Sequence, residues 1–367
     1  MENSFTPLQI ILFIGAAQGF FLAVMLLSAR RGNQQANRIL AAILAIFCLN
    51  IIIHNISHRQ YAYSIPHHEV IITSIFYLFG PLFYFYVRAL TEQLSSVHRR
   101  DYLHFFPFFV CILFSLPLYI ISFNQAKPHI ILEILAGLVV IHVIVYMTWS
   151  VNLLITHTRK IRDSFSSTDR INLRWLRFLI IGFTVTWLAA LYFDLQNTNP
   201  DDWDYVWLLV SLLMYLIGYM GLRQPEIFAG KIITEDTETD RLKKKYQKSA
   251  LTGEMAETYV QKLQEHMQTA KPYLISNITL PELAHGISLS VHHLSQIINE
   301  KLNLNFFEFI NQYRVEEAKK LLADPAKRHL TIAAIGFEAG FNSNSAFNAI
   351  FKRLTRQTPS QYRKTAR

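Results

Sequence analysis

The residue types that catalyse reactions are present, but their spacing argues against catalysis. The sequence has no glycine-rich phosphate loop, no Gly-x-Ser-x-Gly elbow and no Cys-x-x-Cys pair. His68-Glu69 begins like the zinc helix of a metalloprotease, but Ile72 stands where the second histidine is needed. Both cysteines, Cys48 and Cys111, lie inside apolar runs, where a buried and inert thiol is the common outcome. We therefore predict a protein that is not an enzyme and that has no metal site and no cofactor.

A second group of polar residues lies inside long apolar stretches: Asn50, His54, Glu133 and His142. Where such stretches span a bilayer, ionisable groups within them are rare and are functional candidates. Glu133 and His142 are about two turns apart on one predicted helix, so both could face one cavity. We treat the four residues as candidates for an intramembrane signal site. The alternative is that Glu133 lies near the outer headgroups and that His142 hydrogen-bonds a neighbouring helix.

The composition indicates a membrane protein with a soluble part. Of the 367 residues, 51% are hydrophobic and 17% are charged, whereas soluble domains contain about 25% charged residues. Seven stretches approach the roughly 20 apolar residues that a transmembrane helix needs. They are residues 8–27, 39–56, 70–90, 102–122, 129–154, 175–193 and 205–222. Gly80-Pro81 is expected to kink the third stretch rather than to end it. The sequence thus predicts an all-α protein with seven membrane spans and a lipid bilayer as partner.

Lys and Arg are concentrated in alternate predicted loops. The loops after spans one, three and five are rich in them, whereas the loops after spans two, four and six have one at most. Because cytoplasmic loops carry the excess of positive residues, the N-terminus is predicted outside and the C-terminus in the cytoplasm. The predicted location is the inner (cytoplasmic) membrane, with multiple spans. The loop after span six holds Asp194, Asp201, Asp202 and Asp204. It is either a solvated turn or a contact for an external cation or partner.

The polar segment 224–248 is predicted to be a linker. Its Lys243–Lys245 run either binds anionic lipid headgroups or forms a solvated helix face. The predicted domains are therefore a seven-helix transmembrane domain at residues 1–222, a cytoplasmic linker at residues 223–257 and a C-terminal domain at residues 258–367.

The C-terminal domain shows two helix-turn-helix patterns and one long helix between them. Thr279 with Glu282 three residues later is the pattern of a capped helix start. The amphipathic segment Phe306–Ala323 follows the first pair. The stretch Thr331–Arg363 contains the second pair, and Gly340 permits a positive φ in its turn. The pattern predicts an all-helical domain of two helix-turn-helix motifs joined by a linker helix.

This arrangement resembles the DNA-binding domain of the AraC/XylS-type transcription regulators over about Ile275–Arg363. Family-type residues occur at Leu294-Ser295-Gln296, Asn305-Phe306, Tyr313-Arg314-Val315, Ala318-Lys319, Gly340-Phe341-Asn342-Ser343, Phe347-Asn348, Phe351-Lys352 and Thr358-Pro359-Ser360. Two positions depart from the family pattern. Gly336 stands at a usual Ala position, and Arg356 stands at a usual Gly position, where the turn is either strained or gains a phosphate contact.

The resemblance implies that the second helix of each motif enters a major groove of double-stranded DNA. Matched by position, the base-reading residues are Val291, His292, Ser295, Gln296 and Asn299 in the first motif and Asn344, Ser345, Asn348 and Ala349 in the second. Gln and Asn can bond an adenine edge with two hydrogen bonds. The residues placed to contact phosphates, which position without specifying, are Lys301, Lys352, Arg353 and Arg356.

Taken together, these features favour a membrane-bound, sequence-specific transcription regulator whose spans sense an unidentified signal ligand. The linker would pass helix movement to the DNA-binding domains, which would form a homodimer on repeated DNA sites. The alternative is a membrane transporter or receptor whose helix-turn-helix domain is a protein-interaction module. The formal net charge of +9 and the polar second helices favour the first interpretation, because nucleic acid is a polyanion.

Overall fold

A computed structural model describes residues 6–29, 33–57, 68–91, 98–121, 130–168, 173–196, 203–223 and 253–366. Regular structure in these ranges is helical, apart from one isolated bridge between Phe165 and Thr279. The predicted linker with Lys243–Lys245 and the acidic pair Asp201-Asp202 lie outside the described residues. So do the side chains of Glu133, Asp194 and the His68-Glu69 pair, although their backbones are helical.

The chain divides into two compact units. Unit 1 comprises Met1–Ile155 and Leu173–Ile233, and unit 2 comprises Thr156–Asn172 and Thr234–Arg367. The expected domains were continuous in sequence, whereas this division assigns the segment after residue 155 to the C-terminal unit. The end of the fifth helix and the residues that follow it thus belong with the C-terminal helices.

The described part of unit 1 contains six α-helices and most of a seventh, with one helix at each predicted span. They are α1 (Pro7–Ser28), α2 (Gln34–Ser57), α3 (His68–Thr91), α4 (Phe106–Ile121), α5 (Ile130–Ser164), α6 (Arg174–Leu195) and α7 (Trp203–Arg223). A 3-10 helix, Arg99–Phe105, precedes α4. Thr6 and Gln9 form a reciprocal capping box around Pro7 at the start of α1. As expected, α3 continues through Pro81.

Small residues allow close helix packing in unit 1. A Cβ added at Gly80 of α3 would lie 2.8 Å from the Tyr146 ring of α5, and one at Gly15 of α1 would lie 3.0 Å from Ser211 Oγ of α7. An aromatic stack of Phe47 on Phe79, with ring centroids 4.0 Å apart, fills the centre of the core. Helices in lipid commonly pack through small residues in this way.

Four helices among the described residues are long and apolar enough to cross a membrane: Pro7–Ser28, Gln34–Ile56, Gly137–Ser164 and Trp175–Phe193. The helix Asp204–Ile217 is apolar but shorter. With 16 residues, α4 is also shorter than the roughly 20 residues that a straight span needs. The count of seven spans therefore stays a prediction.

Seven further α-helices lie in the described part of unit 2. They are α8 (Gly253–Thr269), α9 (Leu280–Gly286), α10 (Val291–Gln296), α11 (Phe306–Ala323), α12 (Ile332–Glu338), α13 (Asn344–Thr355) and α14 (Pro359–Thr365). A π-helical turn, Ile297–Lys301, extends α10, and 3-10 turns occupy Pro272–Leu274 and Pro325–Lys327. The bounds of α11 are those predicted from sequence. The expected linker boundary after residue 257 falls inside α8.

Two small hydrophobic cores share α11. The first joins α8, α9 and α10 to one side of α11 through residues such as Leu263, Met267, Leu294 and Ile310. The second joins α12, α13 and α14 to the other residues of α11, including Val315, Ala318 and Leu322. Each helix pair thus has its own core, and α11 is the structural connection between the two pairs.

The second helix pair uses glycine where the first uses alanine. Ala284 of α9 and Leu294 of α10 are both buried in the first core. In the second pair a Cβ added at Gly336 of α12 would lie 2.6 Å from Phe347 Cδ1 and 2.8 Å from its Cγ. Phe347 is fully buried, so its ring has little room to move away. Gly336 therefore makes room for the bulkier aromatic residue at the facing position.

We expect Gly336→Ala to destabilise unit 2 by about 1–3 kcal/mol, because overpacking outweighs the gain in helix propensity. Adding Phe347→Leu restores the alanine–leucine pairing of the first motif and should bring the double variant within about 1 kcal/mol of wild type. Pulse proteolysis of the full chain in urea measures the free energy of unfolding. An increase in stability for Gly336→Ala alone would contradict the assigned packing.

Candidate nucleic-acid interface

Serine caps set the start of the second helix in each pair. Ser290 Oγ accepts a hydrogen bond from His293 N at 3.1 Å at the start of α10. Ser343 Oγ accepts one from Ala346 N at 3.1 Å at the start of α13. Such caps satisfy backbone N–H groups that a helix start leaves unpaired. The caps therefore fix where α10 and α13 begin, and four of the nine candidate base-reading residues lie in these first turns.

The turns within the two pairs have left-handed backbone at one residue each. Ser288, between α9 and α10, has φ 55°, and Gly340, between α12 and α13, has φ 91°. A Cβ at Gly340 would collide with the carbonyl oxygen of Tyr273 and lie 2.9 Å from Leu274 Cα. Glycine is thus required at residue 340 by both backbone conformation and close contact.

The polar face of α10 is held by hydrogen bonds between side chains of its own turns. Asn299 Nδ2 donates to Ser295 Oγ at 3.2 Å, and Gln296 Nε2 donates to Glu300 Oε2 at 2.9 Å. Val291 differs from these residues because it is apolar and packs against the first core. His292, Ser295 and Gln296 are half-buried, while Asn299 and Lys301 are exposed.

The polar face of α13 is more open. Asn344, Ser345 and Ala349 are exposed. Asn348 Nδ2 donates to both the backbone oxygen and the side-chain oxygen of Asn344, each at 2.8 Å. These weak local hydrogen bonds orient the amides, and they are of the kind that can be exchanged for hydrogen bonds to another polar edge.

The predicted phosphate-contacting residues are all exposed: Lys301, Lys352, Arg353 and Arg356. Lys352 and Arg353 lie in the last turn of α13, where a cation interacts favourably with the helix dipole. The Arg353 guanidinium carbon lies 5.9 Å from the centre of the Phe307 ring. Arg356 caps α13 with φ 65°, the left-handed region that favours glycine.

The sequence analysis named Arg314 only as a family-type residue and missed that it is the buried charge of α11. Its side chain is only 1% exposed, and Nε donates to the Tyr273 carbonyl at 2.8 Å. Nη2 donates to the carbonyls of Ile275 and Ser276 at 2.8 and 3.0 Å. A signal was present, because Arg314 is four residues after the core residue Ile310 and therefore on its face of the helix.

In unit 1, two of the four candidate signal residues lie together. Asn50 and His54 are one turn apart on α2, and His54 Nε2 lies 3.0 Å from Asp204 Oδ1 in the first turn of α7. The His54 ring also lies 5.7 Å from the Trp207 ring. Asn50 is fully buried. Asp204, expected in a loop, is instead a buried helical residue, because an imidazole partner and the start of α7 both accommodate its carboxylate.

His142 lies in a different environment from Asn50 and His54. Its Nε2 is 3.1 Å from the backbone oxygen of Tyr77 on α3, and its ring is 4.8 Å from the Tyr146 ring. This is the helix-to-helix hydrogen bond that the sequence left as the alternative. The structure thus separates His142 from the pair on α2, and it does not describe the side chain of Glu133.

The C-terminal region is similar to known regulators. Residues 283–365 match the helix-turn-helix domain family and are of AraC type. The region is 38% identical over 87 residues to an uncharacterized HTH-type transcriptional regulator of Staphylococcus aureus strain COL, covering 24% of this chain and 11% of that protein. It is 28% identical over 88 residues to the arabinose operon regulatory protein of Escherichia coli, covering 24% of this chain and 29% of that protein.

The chain therefore spans about a tenth of the staphylococcal relative and less than a third of the Escherichia coli one. No solved structure matches the chain. The similarity shows an AraC-type helix-turn-helix domain in this region, and it says nothing about the 282 residues that precede the matched segment.

We expect Arg356→Gly to stabilise unit 2 by about 1 kcal/mol, because glycine adopts the left-handed conformation without a steric penalty. Arg356→Ala is the matched control, since it removes the charge and keeps the strained backbone. If Arg356 contacts a phosphate, both variants should lower the salt dependence of DNA binding by about one unit of log–log slope. Equal stabilities for the glycine and alanine variants, measured by pulse proteolysis, would contradict the strain argument.

Proposed function

We propose that this chain is a membrane-bound, sequence-specific transcription regulator. The observation that carries the proposal is the AraC-type domain at residues 283–365 behind a series of long apolar helices. The staphylococcal and Escherichia coli relatives of that domain are transcriptional regulators, which supports a DNA-binding regulator. Double-stranded DNA is the proposed partner of unit 2, and the lipid bilayer is the proposed environment of unit 1.

The two helix pairs serve as helix-turn-helix motifs in this proposal. Each second helix, α10 and α13, presents amide and hydroxyl groups near its start, and such groups can read base edges in a major groove. The exposed cations at the end of α13 suit phosphate contacts. Support comes from the chemistry of the exposed Asn299 and Asn344 and of the half-buried Asn348.

The surface of unit 1 supports membrane insertion. Large apolar side chains are more than half exposed on several helices, including Phe21 of α1, Leu113 of α4, Ile141 of α5, Leu188 of α6 and Leu212 of α7. Soluble proteins rarely expose contiguous apolar surface of this extent. Hydrocarbon chains would cover it, and the Lys and Arg distribution would then place the C-terminal domain in the cytoplasm of an inner-membrane protein.

A signal site is proposed around His54 and Asp204. Asn50 Oδ1 and Trp207 Nε1 are two of the eleven buried side-chain atoms that have no hydrogen-bond partner among the described residues. Buried polar atoms normally have partners, so unpaired ones beside an imidazole–carboxylate pair suggest a polar ligand. The site joins α2 to α7, the helix at the last predicted span. We propose that ligand binding there shifts α7 and that a homodimer on DNA is the responding form.

To test DNA reading, the full chain in lipid nanodiscs is used to select a duplex from a random pool. Asn348→Ala should lose about 1–3 kcal/mol of preference at one position of the selected site, because a base-edge contact is removed. Lys352→Ala should weaken binding to all duplexes alike and reduce the log–log salt slope by about one.

Lys319→Ala is the matched control, because Lys319 of α11 pairs with Glu316 at 2.6 Å and is not a predicted contact. The full chain selecting no duplex above background would reject the proposal and favour a protein-binding module. Uniform weakening by Asn348→Ala, without a change in sequence preference, would reject its role in base reading.

To test the signal site, a reporter gene is placed behind the selected duplex. We expect His54→Ala and Asp204→Ala each to shift reporter output about fivefold or more, because allosteric coupling is typically about 1–3 kcal/mol. The double variant should match the single variants, since both remove one interaction. His142→Ala is the control and should have a smaller effect. Independent, additive effects at equal protein levels would show that the two residues do not act as a pair.

A further inference from the structure

A short segment at the C-terminal end of α5 contacts the DNA-binding half of unit 2, residues 278–365. This docking segment, residues 162–168, belongs to unit 2 together with the C-terminal helices. It forms an antiparallel backbone bridge from Phe165 to Thr279, the N-cap of α9. Ser166 N donates to the carbonyl of Ile278 at 3.3 Å. The backbone just before the first motif therefore has a β-type partner from a distant part of the chain.

The centre of the docking segment is fully buried against α11. Ser166 is only 1% exposed, and its carbonyl accepts from Asn311 Nδ2 at 3.1 Å and from Arg314 Nη1 at 3.3 Å. Its hydroxyl accepts from Arg314 Nη2 at 3.2 Å. Asn311 and Arg314 are themselves buried, so these hydrogen bonds are shielded from water.

One end of the docking segment reaches the second motif, and the other end reaches α11. Ser167 Oγ accepts from Asn342 Nδ2 in the turn between α12 and α13. The guanidinium of Arg162 lies 5.9 Å from the Phe307 ring, the same distance at which Arg353 of α13 approaches that ring. The docking segment thus contacts the start of the first motif, the connecting helix and the turn of the second motif.

We propose that this face of the DNA-binding half is a docking surface whose partner is the chain's own segment 162–168. The docking surface consists of Ile278, Thr279, Asn311, Arg314 and Asn342. When segment 162–168 occupies the docking surface, it holds the two helix pairs in one fixed arrangement, and this stabilising contact is called the brace. The exposed residues of α13 that would read bases, such as Asn344 and Ser345, are not among these contacts, so docking leaves them open.

The brace has a direct covalent connection to unit 1. Helix α5 is continuous from Ile130 to Ser164, and the docked residue Phe165 follows it at once. A change in the position of α5 would therefore act on the docking surface without passing through segment 224–248. For its regulatory consequence the inference rests on the proposed function, since the brace matters for DNA reading only if unit 2 reads DNA. The docking itself does not depend on it.

Cysteine cross-linking in native membranes tests the docking. In the full chain, Ser167→Cys with Asn342→Cys should form a disulfide in most molecules when copper phenanthroline is added. Ser167→Cys with Ser360→Cys is the control, because Ser360 is an exposed residue of α14, and the native cysteines are buried. Equal yields for the two pairs, or no disulfide in the first, would overturn the docking.

DNA binding tests the brace. Ser166→Pro removes the amide donor to Ile278, so the full chain should bind its selected duplex about tenfold more weakly. Ser167→Ala removes only the partner of Asn342 and should weaken binding about threefold, whereas Thr168→Pro, the matched proline control, should stay within about twofold. The oxidised Ser167→Cys/Asn342→Cys chain should bind at least as tightly as its reduced form.

The outcomes separate the two proposals. If the wild-type chain selects no duplex, the proposed function fails, and the cross-linking yield still reports whether the segment docks. If the wild-type chain selects a duplex and all these variants bind it with wild-type affinity, the brace is wrong while the DNA-binding function stands.

Discussion

Burial of the Arg314 guanidinium is the constraint on which unit 2 depends. A buried charge is tolerated only if nearly all of its donors are paired. Arg314 meets this requirement with the carbonyls of Tyr273, Ile275 and Ser276 and with both oxygens of Ser166. Burial lowers the pKa of Arg314 to about 10, so the side chain remains charged at neutral pH. The backbone before the first motif must therefore converge on this one side chain of α11.

The contacts around Arg314 also position the second motif. Gly340 packs on the carbonyl of Tyr273 that Arg314 also binds, and the Phe341 ring lies 5.9 Å from the Arg314 guanidinium. The two helix pairs have separate cores, so contacts of this kind are what hold them in register, together with α11. The relative position of α10 and α13 is thus determined by α11, by polar contacts and by a glycine rather than by one shared core.

Local features were predictable from sequence, and long-range polar contacts were not. The capping box at Thr279 and the bounds of α11 follow from residues a few positions apart, so periodicity and capping rules find them. The hydrogen bonds from Arg314 to Ser166 and from His54 to Asp204 join residues 148 and 150 positions apart. No periodic pattern encodes such pairs, which is why Asp204 was expected in a solvated or cation-binding loop.

Backbone strain in the DNA-binding half makes its arrangement sensitive to added contacts. Lys271, Ser288, Asn303 and Arg356 all have φ between 47° and 65°, a conformation that costs non-glycine residues about 1–2 kcal/mol each. Two small cores must offset that strain, and domains of this size have little stability to spare. A few shielded hydrogen bonds from segment 162–168, each contributing about 0.5–1.5 kcal/mol, are therefore a substantial part of that small stability. Regulation of DNA binding can then act through segment 162–168 and leave the exposed residues of α10 and α13 free for DNA.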